Sequence, residues 1–119
     1  MIRIKRAYAP PEGSDGVRFL VDRLWPRGVR KEAARIDEWR KDFAPSNILR
    51  KWYGHDPSKW EEFQSRYRTE LEAAGKIDEL RILGKRARKK TITLVYAARD
   101  EAHNNAVVIK KLVETLSAQ

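Results

Sequence analysis

Apolar and polar positions along this chain alternate between two periods. A period of two marks strands, and a period of three to four marks helices. Met1 to Ala7 sets Ile2 and Ile4 against Arg3 and Lys5, which predicts a first strand. Val17 to Leu24, centred on Phe19, Leu20 and Val21, predicts a second. Thr91 to Ala97 is β-branched and apolar without a charge, and predicts a third strand covered on both faces. Between the first two, Pro10, Pro11, Gly13 and Gly16 make a turn-rich loop in which no helix fits comfortably. That connection is shorter than the dozen or more residues a helical crossover takes, so these strands are not expected to be simple parallel neighbours.

The longer period takes over elsewhere. Ile36, Trp39 and Phe43 predict a helix over Lys31 to Phe43, stopped by Ala44-Pro45 because the residue before proline avoids the α region. Ser46 caps a short helix that runs through Trp52 and ends at Gly54. Asp56-Pro57 is a helix start, followed by a stripe of Trp60, Phe63, Tyr67 and Leu71 that Gly75 closes. Ile77, Leu80 and Leu83 predict a further helix with Gly84 near its end. Ile109, Leu112, Val113 and Leu116 predict the last. The sum is a small, single-domain α/β fold: a three-stranded, mostly parallel sheet flanked by four to five helices.

Composition narrows the function more than the fold. The chain has 119 residues, enough for one domain. Its 26 Lys and Arg against 17 Asp and Glu leave a formal charge of +9, which favours an anionic small molecule or nucleic acid as partner. There is no cysteine, which excludes disulfides, thiolate zinc sites and thiol nucleophiles. No segment approaches the roughly 20 apolar residues of a membrane span, and no apolar signal core follows the charged N-terminus. A cytoplasmic protein without membrane contact is expected. Two His without metal-ligand spacing, and neither G-x-G-x-x-G nor a P-loop, predict no metal and no cofactor.

Candidate chemistry gathers where strands turn into helices. Arg99, Asp100, Glu101, His103, Asn104 and Asn105 crowd the step from the third strand to the last helix. In open α/β sheets, ligands bind outside the carboxyl ends of the strands. Here Asp100 is expected as N-cap, with His103 at the third helical position. Arg99 would clamp a phosphate or carboxylate, and His103 or Asp100 would serve as acid or base. A capped helix with a solvated first turn is the plainer reading.

A second cluster, Asp22-Arg23-Leu24-Trp25-Pro26-Arg27-Gly28, follows the apolar end of the second strand. Charges there must pair or reach a site, so Asp22 is expected beside Arg23, Arg27 or Arg99. A structural salt bridge would explain the same residues. Arg27 before Gly28 fits a ligand contact, since glycine lets a backbone approach a ligand closely. His55, between Gly54 and Asp56, is a loop or rim group, and Tyr8 is a second rim candidate. Between positions 81 and 90, Arg81, Lys85, Arg86, Arg88, Lys89 and Lys90 form a basic run. It suits phosphate contacts as the alternative, a non-catalytic nucleic-acid binder, or simply a solvated face.

The blocks LVDRLWPRG (20–28), DFAPSNILRKWYGHDPSKWEEFQSRYRTEL (42–71) and LVYAARDEAHNNAVVI (94–109) resemble the YeaO-like family, a branch of a larger group of unknown function. Relatives in the wider group carry an Asp-Val-Arg-like motif after the second strand and a Cys-His-Arg-like motif after the last. Asp22 and Arg23 fall in the first motif here. Asp100 to Asn104 occupy the second, with His103 as its histidine and no cysteine before it. The resemblance implies a compact, three-layer-like α/β domain and supplies no activity. Some members are labelled transcription regulators, which agrees with the basic charge and with nothing sharper.

Overall fold

The computed structural model describes residues 1–118. Its elements are β1 (Ile2–Arg6), β2 (Val17–Leu20), α1 (Lys31–Ala34), β3 (Glu38–Trp39), α2 (Asn47–Tyr53), α3 (Trp60–Ala73), α4 (Ile77–Ala87), β4 (Ile92–Tyr96) and α5 (Asn105–Ser117). The sheet is ordered β1-β4-β2-β3, and every neighbouring pair is parallel. The expectation of a parallel α/β sheet holds, with four strands in place of three. The uncharged β4 is buried along its whole length between β1 and β2. That placement also separates the first two strands, as the short connection between them required.

The two faces of the sheet are covered differently. On one face, Phe19, Val21, Ile92, Leu94 and Tyr96 pack into the main core with residues of α2, α3, α4 and α5. The opposite face holds a smaller cluster of Ala7, Leu20 and Val95 under Trp25, Ile36 and Trp39. In place of a crossover helix, the β1–β2 connection crosses this second face through a 3-10 turn at Gly13–Asp15. Side chains tie it down. Asp15 is fully buried and accepts from Lys5 Nζ at 2.9 Å and Arg18 Nη1 at 2.7 Å, while its carbonyl accepts from Thr93 Oγ1 at 2.7 Å. Burial would raise the Asp15 carboxyl, but Lys5, the Glu12 amide and Arg18 outweigh it and hold it below its ordinary value. Gly16 then turns back with φ 64°, where a Cβ would fall 2.1 Å from the Thr91 carbonyl oxygen.

The helix expected over Lys31 to Phe43 is corrected. Only one turn forms before Arg35 enters the left-handed region at φ 49°. The chain then pairs with β2: Asp37 N–H donates to the Arg18 carbonyl, and Arg40 N–H to that of Leu20. The physical reason lies in the packing. Ile36 and Trp39 belong to the second-face cluster, whereas Phe43 belongs to the main core. One helical stripe cannot face both sides of a sheet, and ladder bonds at the open edge of β2 override weak local propensity. The β1–β2 loop, expected without any helix, holds its single 3-10 turn, and the second strand ends at Leu20 rather than Leu24.

The other helix signals are where the pattern put them. Ser46 caps α2 by accepting from Leu49 N–H, and Gly54 ends it in the left-handed region. Asp56 caps a 3-10 turn at Pro57–Lys59 that runs into α3. No helix among the described residues is long and apolar enough to cross a membrane.

Candidate functional site

Because β2 and β4 are parallel neighbours, their carboxyl ends leave the sheet side by side. Val21 N–H still bonds to the Val95 carbonyl, and one residue later the Asp22 carboxylate takes over the pairing. Its Oδ2 accepts from Ala97 N–H at 2.8 Å, and its Oδ1 accepts from Asn105 Nδ2 at 2.8 Å. Asn105 Nδ2 also donates to the Val21 carbonyl at 2.7 Å. The segments around positions 22 and 100 therefore meet at one edge of the sheet. The expected ion pair between Asp22 and Arg23, Arg27 or Arg99 does not form. Arg23 instead donates to the carbonyls of Pro45 and Ala44. Burial pushes the Asp22 carboxyl up, against the opposing pull of Asn105, the Ala97 amide, Arg50 and His55.

The strand ends open into a cavity of about 850 Å³. Every residue expected at the pocket lines it: Asp22, Arg23, Arg27, Arg99, Asp100, His103 and Asn104, with Tyr8 and His55 among them. Arg50, Tyr53 and Asn105 line it as well. Sequence reasoning did not assign Arg50 to the site, because it lies on α2 and reaches the strand ends only through helix docking. Asn105 carried a usable signal, a second consecutive Asn at a strand-to-helix step, but its role in holding Asp22 depends on β2 lying beside β4.

Local geometry corrects the expected cap. Asn104, not Asp100, caps α5: its Oδ1 accepts from Val107 N–H at 3.0 Å, and its Nδ2 donates to the Asp100 carbonyl at 2.9 Å. It is 2% exposed, with both ends of its amide engaged. His103 consequently precedes the helix. Asp100 closes the loop before it, accepting from the N–H groups of Ala102 and His103, and its Oδ2 lies 2.9 Å from His103 Nδ1. The Ala102 amide first, and His103 next, hold the Asp100 carboxyl below its ordinary value. The His103 ring meets Trp60 edge-on with centroids 5.2 Å apart, and the His103 carbonyl accepts from Tyr53 Oη at 3.0 Å. A neutral His103 that donates Nδ1–H to Asp100 keeps Nε2 as an acceptor.

The charges of this cavity are unbalanced. Four arginines (Arg23, Arg27, Arg50 and Arg99) and two histidines line it against two carboxylates, those of Asp22 and Asp100. Some arginines elsewhere find acidic partners, Arg66 with Glu62, Arg68 with Glu72, Arg81 with Asp78, and Arg40 with Asp42, while Arg3, Arg6, Arg86 and Arg88 have none among the described residues. Among the described residues, none of the four cavity arginines forms a salt bridge.

The basic run lies at the other end of β4. Lys85 and Arg86 are in the last turn of α4, and Arg88, Lys89 and Lys90 lead to the amino end of the strand. Arg86 stands over the Phe19 ring at 5.5 Å, and Arg88 donates to the Ser117 carbonyl. No carboxylate pairs with any of the five among the described residues.

The comparisons agree on kinship and name no reaction or ligand. A family model described as the inactive DUF488-N3 subclade matches residues 1–119. The uncharacterised protein YeaO of Escherichia coli (strain K12) is 40% identical over 115 residues, 97% of this chain and 98% of its own length. An uncharacterised protein of Mycobacterium tuberculosis (strain H37Rv) is 43% identical over 112 residues, 94% of this chain and 92% of its own. No solved structure gives a match.

Proposed function

This chain belongs to the YeaO-like proteins, matched as the inactive DUF488-N3 subclade, and on that premise we propose that its strand-end cavity binds an anionic ligand: a nucleotide, a phosphorylated metabolite or a nucleic-acid end. The observation that carries the reading is the set of four arginines facing one cavity without salt-bridge partners. Arg23 is engaged by the Pro45 and Ala44 carbonyls, whereas the guanidinium groups of Arg27, Arg50 and Arg99, free of protein carboxylates, are available for charge-assisted, two-pronged bonds to phosphate or carboxylate. The Asp22–Asn105–Ala97 bonds hold the two strand ends together and so fix the cavity floor. In this reading the His103–Asp100 pair presents an oriented imidazole to the ligand. The word inactive in the subclade's description favours binding over turnover.

Calorimetric titration with inorganic phosphate, pyrophosphate and nucleoside monophosphates tests this directly. Wild-type protein is expected to bind, and Arg50→Ala to bind about ten- to a hundred-fold more weakly, the span of a lost hydrogen bond to a charged group. Failure of the wild type to bind any of these anions would overturn the reading.

The basic run supports a second reading, a non-catalytic nucleic-acid binder using Lys85, Arg86, Arg88, Lys89 and Lys90. It is separable because these residues sit at the opposite end of β4. Affinity for a nucleic-acid backbone would fall steeply with salt and would drop when these residues are neutralised together.

A further inference from the structure

We infer that Tyr8 is a stacking platform of this cavity, and that the ligand is a phosphomonoester carrying a flat ring, in chemical class a nucleoside monophosphate, free or as the terminal nucleotide of a strand. This rests on the anion-binding reading above and narrows it.

Volume gives the first argument. A cavity of about 850 Å³ lies in the range of clefts that hold drug-sized organic ligands, roughly 300–1,000 Å³. A bare phosphate would leave most of it to water. The second argument is the state of Tyr8. It lines the cavity and is 48% exposed, so it contributes little to the core. Yet the ring is held. Its hydroxyl donates to the Arg27 carbonyl at 2.9 Å, and the Arg6 guanidinium stands 5.1 Å from its centroid. Arg6 is itself tethered to the Ala98 and Ala97 carbonyls at 3.0 and 3.3 Å. An exposed aromatic ring fixed at its tip loses little freedom when a second ring stacks on it.

The third argument is position. The bond to the Arg27 carbonyl ties Tyr8 to the residue whose own side chain is one of the four unpaired arginines. A ring surface and a cationic group thus share one rim. A nucleoside monophosphate has the matching pair, a planar base and a terminal phosphate. Any base presents a π-face, so the platform predicts little preference among bases.

The test compares inorganic phosphate, ribose 5-phosphate, the nucleoside monophosphates and a short 5′-phosphorylated single-stranded DNA on wild type, Tyr8→Ala and Tyr8→Phe. Wild type is expected to bind nucleoside monophosphates about five- to a hundred-fold more tightly than ribose 5-phosphate. Tyr8→Ala should erase that preference, so that nucleotides and ribose 5-phosphate bind it alike, while Tyr8→Phe should keep most of it. A larger gain for the oligonucleotide than for the free nucleotide would identify the source as a strand end, and equal affinity would identify the free nucleotide. If ribose 5-phosphate binds as tightly as the nucleotides, or Tyr8→Ala retains the preference, the platform is refuted while the anion site stands. If wild type binds none of the probes, both fall.

Discussion

Asp22 Oδ1 accepts a hydrogen bond from Asn105 Nδ2 at 2.8 Å, joining the end of β2 to the first residue of α5 across 83 positions of chain. The second carboxylate oxygen takes the Ala97 amide, so Asp22 is held by two donors and by no cation. The consequences divide by which partner is changed.

Asp22→Asn keeps the shape but turns one acceptor into a donor facing a donor. Leaving one such group unsatisfied costs about 1–3 kcal/mol, to be read from the shift in urea denaturation midpoint. Asn105→Ala removes a bond that favours the carboxylate, so the Asp22 titration, already raised by burial, should move further up in carbon-detected NMR. The sign follows from linkage. A carboxyl whose folded pKa lies above its unfolded one contributes stability that is full below the unfolded value and fades as pH rises through the folded one. A downward movement in Asn105→Ala would contradict the assigned bond.

Asp15 tests the face of the sheet crossed by the β1–β2 connection. It is fully buried between Lys5 and Arg18, the latter 3% exposed and with one guanidinium nitrogen, Nη2, already unpartnered. Asp15→Asn removes the buried counter-charge of Arg18, while Lys5 keeps Glu12, and is expected to cost about 3–5 kcal/mol, the penalty of stranding a buried cation. A loss below about 1 kcal/mol in chemical denaturation would mean that the β1–β2 crossing is not held by these ion pairs.

The Arg40–Asp42 pair sets the acid limit of the β3–α2 corner. Arg40 grips both oxygens of Asp42, at 3.0 and 2.8 Å, and Lys76 adds a contact at 3.2 Å. Arg40 first, and Lys76 after it, bring the Asp42 carboxyl down to about 2. Its folded pKa lies below the unfolded one. The contribution is therefore present above about pH 4 and is lost as pH falls toward 2. With the side chain 32% exposed, solvent screening limits it to the order of 1 kcal/mol. Arg40→Ala should flatten this part of the stability profile between pH 4 and 2, measured by thermal melts.

Replacing Lys85, Lys89 and Lys90 together with Gln probes the basic run. All three are exposed and pair with no carboxylate among the described residues, so the change in stability should stay within about 0.5 kcal/mol. Under the cavity reading, nucleotide affinity is unchanged. A several-fold loss, with a shallower dependence on salt, would move the function to the amino end of the sheet.

Much of this protein was legible in one dimension. The uncharged run from Thr91 to Ala97 dictated a central strand. Ser46, Gly54 and Asp56 dictated helix ends, because caps and left-handed turns depend on residues a few positions apart. The crowding of charge and amide groups after positions 21 and 98 marked the polar edge. Folding alone decided which partners those groups take. Ile36 and Trp39 fit a helix until the open edge of β2 claims their backbone, and Asp22 looked destined for an arginine until Ala97 and Asn105 arrived first. Arg50 gives no sign of its place until α2 docks beside the strand ends. The physical reason is range: periodicity and capping act within a turn or two, whereas hydrogen-bond partners and charge neighbours are set by which strands lie side by side.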